Sequence, residues 1–139
     1  MKLLIENLKN NNLKVTPQRL TIYNYLYNNH IHPSAETIYN NIKEQNPTIS
    51  LATVYKTLKS LKDSGLVQEI NVGEDSFRYD VQITPHSHII CTKCNSIIDY
   101  FPKDDFINEI QDKVAKDTDF ELNSNQMYFY GVCKHCLNK

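Results

Sequence analysis

The 139-residue chain has no tryptophan, only three glycines and almost no net charge, at −1. Near-neutrality excludes a protein that binds nucleic acid through its whole surface, because such binders carry a basic excess. No stretch approaches the ~18 consecutive apolar residues of a membrane span. The opening Met1-Lys2-Leu3-Leu4-Ile5-Glu6 interrupts its apolar run at once, so it does not read as a signal peptide. No internal repeat and no low-complexity tract is present, which argues against a solenoid or a disordered tail. The expectation is a cytoplasmic protein, in a compartment that keeps thiols reduced. The scarcity of glycine and tryptophan sits beside abundant asparagine, lysine, isoleucine and tyrosine, and reads as genomic base composition.

What is present is ordinary for a globular protein, with 40% apolar and 22% charged residues. The length suits one domain or two small ones; small cores gain from a metal staple. The charge is uneven. Residues 1–70 carry eight Lys/Arg against five Asp/Glu, and residues 71–139 carry seven against eleven. A mildly basic front half suits a phosphate partner, although a chance asymmetry explains it equally well.

The first 65 residues read as helices. Residues 2–10 form a short amphipathic segment with Leu3, Leu4 and Leu8. Thr16-Pro17 is a start signal, an N-cap followed by proline in the first turn. Leu20, Tyr23, Leu26 and Tyr27 then recur at helical spacing. Pro33-Ser34 opens a third helix with Ala35, Ile38, Tyr39 and Ile42 on one face. Ser50 caps a fourth, over residues 50–64, with Val54, Leu58 and Leu61 inward and Gly65 at its end. The period then changes: 66–72 and 77–81 alternate about Gly73-Glu74-Asp75 as a β-hairpin. Helix, link, helix and hairpin predict a winged helix-turn-helix domain over residues 1–81, with a linker at 82–85. Residues 86–139 read as a small α/β domain: strands at 88–91, 97–101 and 126–132, and a helix over 104–116 with Phe106, Ile107, Ile110 and Val114 on its apolar face. The fold class is α+β.

Cys91 and Cys94 are two residues apart, as are Cys133 and Cys136. Two such units in a reducing compartment have the spacing of a tetrahedral structural zinc site, Zn2+ held by four thiolates. Disulfides or a redox dithiol are the alternatives at this point. His135 lies inside the second pair, but four sulfurs already complete the shell. His86 and His88 stand two apart, so in a strand both imidazoles point to one side and can face one ion. His30 reads as a solvated or satisfied histidine. Nitrogen and carboxylate donors suit Fe(II), Mn(II) or Zn(II), whereas thiolates favour zinc. The exposed face of the fourth helix carries Tyr55, Lys56, Lys59 and Lys62, which by pattern alone is a solvated face.

Thr16-Pro17-Gln18-Arg19, His32-Pro33, Ala52-Thr53-Val54-Tyr55, Gly65-Leu66-Val67, His86-Ser87-His88-Ile89-Ile90-Cys91-Thr92-Lys93-Cys94 and Tyr130-Gly131-Val132-Cys133 follow one another in the order of a known pattern. Over nearly its whole length the chain resembles the ferric uptake regulator (Fur) family. The resemblance implies a homodimeric, metal-dependent transcription repressor with an N-terminal winged helix and a C-terminal dimerisation domain. Its partner is then a palindromic, AT-rich operator in double-stranded DNA. The regulatory Fe2+ or Mn2+ site falls on His32, Asp80, His86, His88 and Asp99. Aspartates at both acidic positions resemble the peroxide-sensing, PerR-like branch. In that branch Fe(II) reacts with hydrogen peroxide, and a ligand histidine, matching His32 or His86, becomes 2-oxo-histidine. The metal is then lost and the operator released.

For DNA, Tyr55 resembles the residue that meets thymine methyls, Lys14 one that enters a minor groove, and Arg19 one that holds phosphate. The family often has arginine after that tyrosine; here Lys56 lacks the bidentate fork. Some members carry a further metal site, but Pro85, Ser87 and Asn125 make no ligand set at its positions. An iron, manganese or zinc uptake regulator of the same family is the nearest alternative. A zinc-dependent hydrolase is a remote one, since neither His-x-Glu nor His-Glu-x-x-His occurs. A pure protein-interaction zinc module leaves the winged helix unexplained.

Overall fold

A computed structural model describes residues 1–73, 76–81 and 86–138. The expected linker at 82–85, and Glu74 and Asp75 of the expected hairpin turn, lie outside the described residues. Two compact units divide the chain, Met1–Ile83 and Thr84–Lys139.

The first unit is four helices and a two-stranded wing: α1 (Lys2–Asn10), α2 (Pro17–Asn28), α3 (Ala35–Ile42), α4 (Leu51–Asp63), then β1 (Gln68–Gly73) paired antiparallel with β2 (Ser76–Asp80). Side-chain caps start three of the helices. Thr16, Ser34 and Ser50 accept hydrogen bonds from the backbone N–H groups of Arg19, Thr37 and Thr53 at 3.2, 3.1 and 3.1 Å. Each cap satisfies a donor that the first turn leaves open. The end of α4 is equally defined. Gly65 takes φ +83, and Leu66 N–H and Gly65 N–H donate to the carbonyls of Leu61 and Lys62, both at 3.0 Å. This is the Schellman arrangement, and it delivers Leu66 to the core beside Leu61. Asn12, at φ 61, ends α1 the same way, with Leu13 N–H bound to Leu8 C=O at 2.9 Å.

Leu8, Ile22, Leu26, Ile38, Val54, Leu58 and Leu61 form the centre of one core, closed from the wing side by Tyr79. In α2 the inward set differs from the sequence expectation. Ile22 is buried with Tyr23 and Leu26, while Tyr27 is exposed. Apolar and polar residues are spread round that helix, so spacing alone did not single out a face, and tyrosine's hydroxyl tolerates water.

The second unit is a three-stranded sheet in the order β4-β3-β5. Central β3 (Ser87–Cys91) pairs antiparallel with β4 (Ile97–Tyr100) and parallel with β5 (Tyr128–Gly131). A parallel pair needs a crossover, and α5 (Phe106–Thr118) lies in it. This helix starts two residues later than the sequence suggests, because Asp104 and Asp105 act as flanking residues; Asp104 accepts from Phe106 N–H at 3.3 Å. A four-residue helix, α6 (Lys134–Leu137), follows β5 and is too short for periodicity to reveal. The apolar interior is thin. Of the expected apolar face of α5 only Ile107 is buried, while Phe106, Ile110 and Val114 are exposed, as are Ile98, Phe129 and Tyr130. Among the described residues no helix is long and apolar enough to cross a membrane.

Candidate metal centres and nucleic-acid surface

The four cysteines meet at one end of the sheet. Cys91 ends β3, and the turn to β4 is closed by Asn95 N–H on Cys91 C=O (2.9 Å) and Cys91 N–H on Ser96 C=O (3.0 Å). Asn95 supplies the left-handed residue, at φ 60, that this tight turn requires. The parallel register sets Cys91 opposite Gly131, and Thr92 N–H binds Gly131 C=O at 2.8 Å. The second pair therefore arrives beside the first. All four sulfurs lie within 4.8 Å of one another, with Cys91–Cys136 at 3.9 Å and Cys94–Cys133 at 3.8 Å. A disulfide needs ~2.0 Å, and all four thiols are free. Four sulfurs at ~2.3 Å from one ion stand ~3.8 Å apart, so the cluster has the dimensions of a tetrahedral thiolate site.

The thiols are prepared unequally. Backbone N–H groups of Cys133 (3.4 Å) and Cys94 (3.5 Å) donate to Cys91 Sγ and draw its pKa down to about 6. The Ser96 hydroxyl, 3.2 Å from Cys94 Sγ, lowers that thiol too. Cys136, pressed against Cys133 and buried, is pushed up to about 12. An entering ion meets a ready thiolate at Cys91 and must displace a proton at Cys136.

A second, chemically different set of ligand groups contains no sulfur. In the first unit His32 and Asp80 are both buried, with His32 Nε2 3.5 Å from Asp80 Oδ2. His32 has φ 55, a costly conformation for a residue of its bulk. The wing holds it there: Arg78 Nη1 donates to His32 C=O at 3.0 Å and Tyr79 N–H to Pro33 C=O at 3.0 Å. In the second unit His86 and His88 are buried, and both Nε2 atoms lie 3.4 Å from Asp99 Oδ1. Register explains the meeting, since His88 stands directly across from Asp99 on β4 and beside Tyr128 on β5. The His86 ring stacks on Phe101, with centroids 4.7 Å apart and planes at 18°.

On the first unit the expected DNA residues fall into two separate clefts, on different faces of α4. Lys14, Arg19 and Lys56 line one, with Thr16, Gln18 and Thr53. Arg19 Nη1 donates to Lys14 C=O at 2.7 Å, which fixes one end of it. None of these three cations has a carboxylate partner among the described residues. Lys59 and Lys62 differ, being paired with Asp63 at 2.7 Å and Glu69 at 3.0 Å. Tyr55, 45% exposed, lies in the other cleft with Glu36, Phe77 and Tyr79, and its hydroxyl donates to the Glu36 carboxylate.

Residues 10–130 match the model of the ferric uptake regulator family. The chain belongs to that family. It is 53% identical over 135 residues to the transcriptional regulator PerR of Clostridium acetobutylicum, covering 94% of each chain. It is 40% identical to the peroxide-responsive repressor PerR of Staphylococcus aureus, covering 97% of this chain and 90% of that one. Among solved structures, the peroxide stress regulator of Campylobacter jejuni superposes with a TM-score of 0.75 at 37% identity, covering 97% of both chains. Within the ferric uptake regulator family the chain thus falls in the PerR-like, peroxide-responsive branch. It is a metal-dependent DNA-binding regulator and not an enzyme.

The Fur family match stops at residue 130, short of Cys133 and Cys136; the sulfur geometry assigns those two. Each of the five expected regulatory residues is buried or half-buried and lies beside another of them, His32 by Asp80, and His86 and His88 by Asp99. Pro85 of the discounted further site lies outside the described residues. Ser87 is buried with no hydrogen-bond partner for its hydroxyl among the described residues, and Asn125 donates to Gln111. Reasoning from sequence missed Arg78, Ser96, Phe101 and Glu36. Ser96 had a local signal, a hydroxyl two residues after a cysteine pair. The others act across 15 to 46 residues of chain, and nothing local marks them.

Proposed function

We propose that this chain is a cytoplasmic, homodimeric repressor that binds a palindromic AT-rich operator when Fe(II) or Mn(II) occupies a site made by His32, Asp80, His86, His88 and Asp99, and that hydrogen peroxide releases it. The observation that carries this reading is the separation of donors. Buried histidines face carboxylates in each unit, apart from a sulfur cluster that suits Zn2+. Three imidazoles and two carboxylates favour a redox-active or exchangeable divalent ion; four thiolates make a closed structural site.

Bound Fe(II) supplies the one-electron chemistry that splits the peroxide O–O bond. The chain's part would be to hold His32 or His86, the histidines that the family resemblance marks as oxidisable, at the metal. In the net balance the O–O bond and the carbon 2–hydrogen bond of one imidazole break and a carbon–oxygen bond forms; the hydrogen ends on a ring nitrogen, the second oxygen leaves as water with the two peroxide hydrogens, the imidazole supplies both electrons, and 2-oxo-histidine remains. A histidine so altered loses ligand basicity. Because the ligands come from both sides of the linker, an ion joining them fixes the angle between the two units. A dimer reads a palindrome only when its recognition helices stand about 34 Å apart. Metal that binds that arrangement more tightly shifts the population toward it. The exposed apolar residues of the second unit, Ile98, Phe106, Ile110, Val114 and Phe129, supply the dimer surface.

Intact-mass analysis after Fe(II) and hydrogen peroxide tests the sensing step. The expected product has one added oxygen, on the peptide bearing His32 or His86. An unchanged mass in protein whose DNA affinity still follows added metal would instead assign it as a metal-uptake regulator of the same family.

A further inference from the structure

Glu36 does something unusual for a carboxylate on a DNA-facing surface. It stands in the first turn of α3, a turn fixed by the Ser34 cap, and its carboxylate accepts the hydroxyl of Tyr55 from α4. The two residues are nineteen apart in the chain and on different helices. The Tyr55 ring remains 45% exposed, so the tie does not bury it; it restrains a side chain that otherwise samples several rotamers. Around it lie Ser34, Ser76, Phe77 and Tyr79, and Glu36 is the carboxylate of that cleft among the described residues. Lys14, Arg19 and Lys56 line a separate cleft, on another face of α4.

A negative charge here opposes phosphate and lowers affinity for any DNA, whatever its sequence. A restrained aromatic ring lowers the ordering cost of a contact with base edges, which counts only where the sequence fits. Both effects move the ratio of operator to non-specific binding in the same direction. The charge persists at neutral pH, because the Tyr55 hydroxyl holds the Glu36 carboxyl below its ordinary value.

We infer that Glu36 is a specificity-determining positioning residue: by tying the hydroxyl of Tyr55 and setting a negative charge beside that ring, it makes the recognition helix select sequence rather than phosphate. This rests on the reading of α4 as the DNA-reading helix.

The test uses full-length Mn(II)-loaded protein, a palindromic AT-rich duplex enriched by the wild type from a random library, and a scrambled duplex of the same composition. E36Q keeps an acceptor and loses the charge; E36A loses both. Both variants should bind the scrambled duplex more tightly than wild type. E36A should bind the enriched duplex about three- to tenfold more weakly than E36Q, the worth of one hydrogen bond. In the Y55F background that gap should vanish, because no hydroxyl remains to be held. Equal binding by E36A and E36Q, or a gap that persists with Y55F, overturns the role of Glu36. A wild type that enriches no sequence overturns the assignment of α4 itself, and the inference with it. Thermal melting of each variant separates loss of the contact from loss of the helix.

Discussion

At the scale of single residues, the sulfur cluster stores an asymmetry that a titration can read. Cys91, at about 6, is already ionised at neutral pH, whereas Cys136, at about 12, carries its proton. Zinc needs all four thiolates. Binding at pH 7 must therefore expel protons, and Cys136 is a principal source. Acid opposes binding, and affinity falls as pH drops, most steeply once Cys91 also protonates near 6. Zinc titration by calorimetry in two buffers of different ionisation enthalpy should show net proton release, growing as pH falls from 8 to 6. Identical heats in the two buffers would contradict the assigned thiol states. The four cysteines were legible as ligands from spacing alone. Their unequal acidity was not, because it comes from backbone N–H groups that only the turn geometry aims at Cys91.

At the scale of elements, local chemistry explains why so much of the first unit could be read in advance. Thr16, Ser34 and Ser50 cap helices where the sequence placed them, and Gly65 ends α4. A side chain at position 65 would touch nothing within 4 Å, so its cost is purely that of φ +83. Gly65→Ala should lower stability by about 1 kcal/mol, seen as a reduced melting temperature, with no change in metal content. The inward face of α2 and the start of α5 were less legible. The first has its apolar residues spread round the helix among polar ones, and in the second Asp104 accepts from Phe106 N–H while Asp105 accepts from the Asn108 side chain, so either could have been read as the start. The pairing of Tyr55 with Glu36 lay beyond sequence reading for a different reason: a contact between two helices depends on their crossing, which no local pattern specifies.

For the molecule as a whole, the second unit is the incomplete part. Its described residues bury few apolar side chains, chiefly Ile90 and Ile107, and expose a band of large ones. The apolar face expected of α5 is there, and all of it but Ile107 is exposed. Periodicity reports that a face will be covered, not by what. If a second copy covers it, Ile98→Glu or Val114→Glu should convert the dimer to monomer in light scattering and abolish operator binding, while the four-thiolate zinc is retained. A dimer that survives both changes would place the interface elsewhere. The regulatory ligands stand between these two cases. Only His86 and His88 stood out by pattern and the full set came from the family resemblance; the meeting of His88 with Asp99 depends on the β3–β4 register, and the setting of His32 on its left-handed backbone, neither of which follows from spacing.

Strand β3 is five residues long, and it carries His88 near one end and Cys91 at the other, with both neighbours hydrogen-bonded to it. Because side chains alternate, a slip of one residue turns every one of them to the opposite face. A single insertion or deletion between His88 and Cys91 would leave only one of the two pairings in register, His88 with Asp99 or Cys91 with Gly131. The segments at 102–105 and 119–125 bear no such double duty. Over evolutionary time these two connections are where lineages can lengthen or shorten the protein, whereas the spacing from the histidines to the first cysteine pair is a length that selection must hold constant.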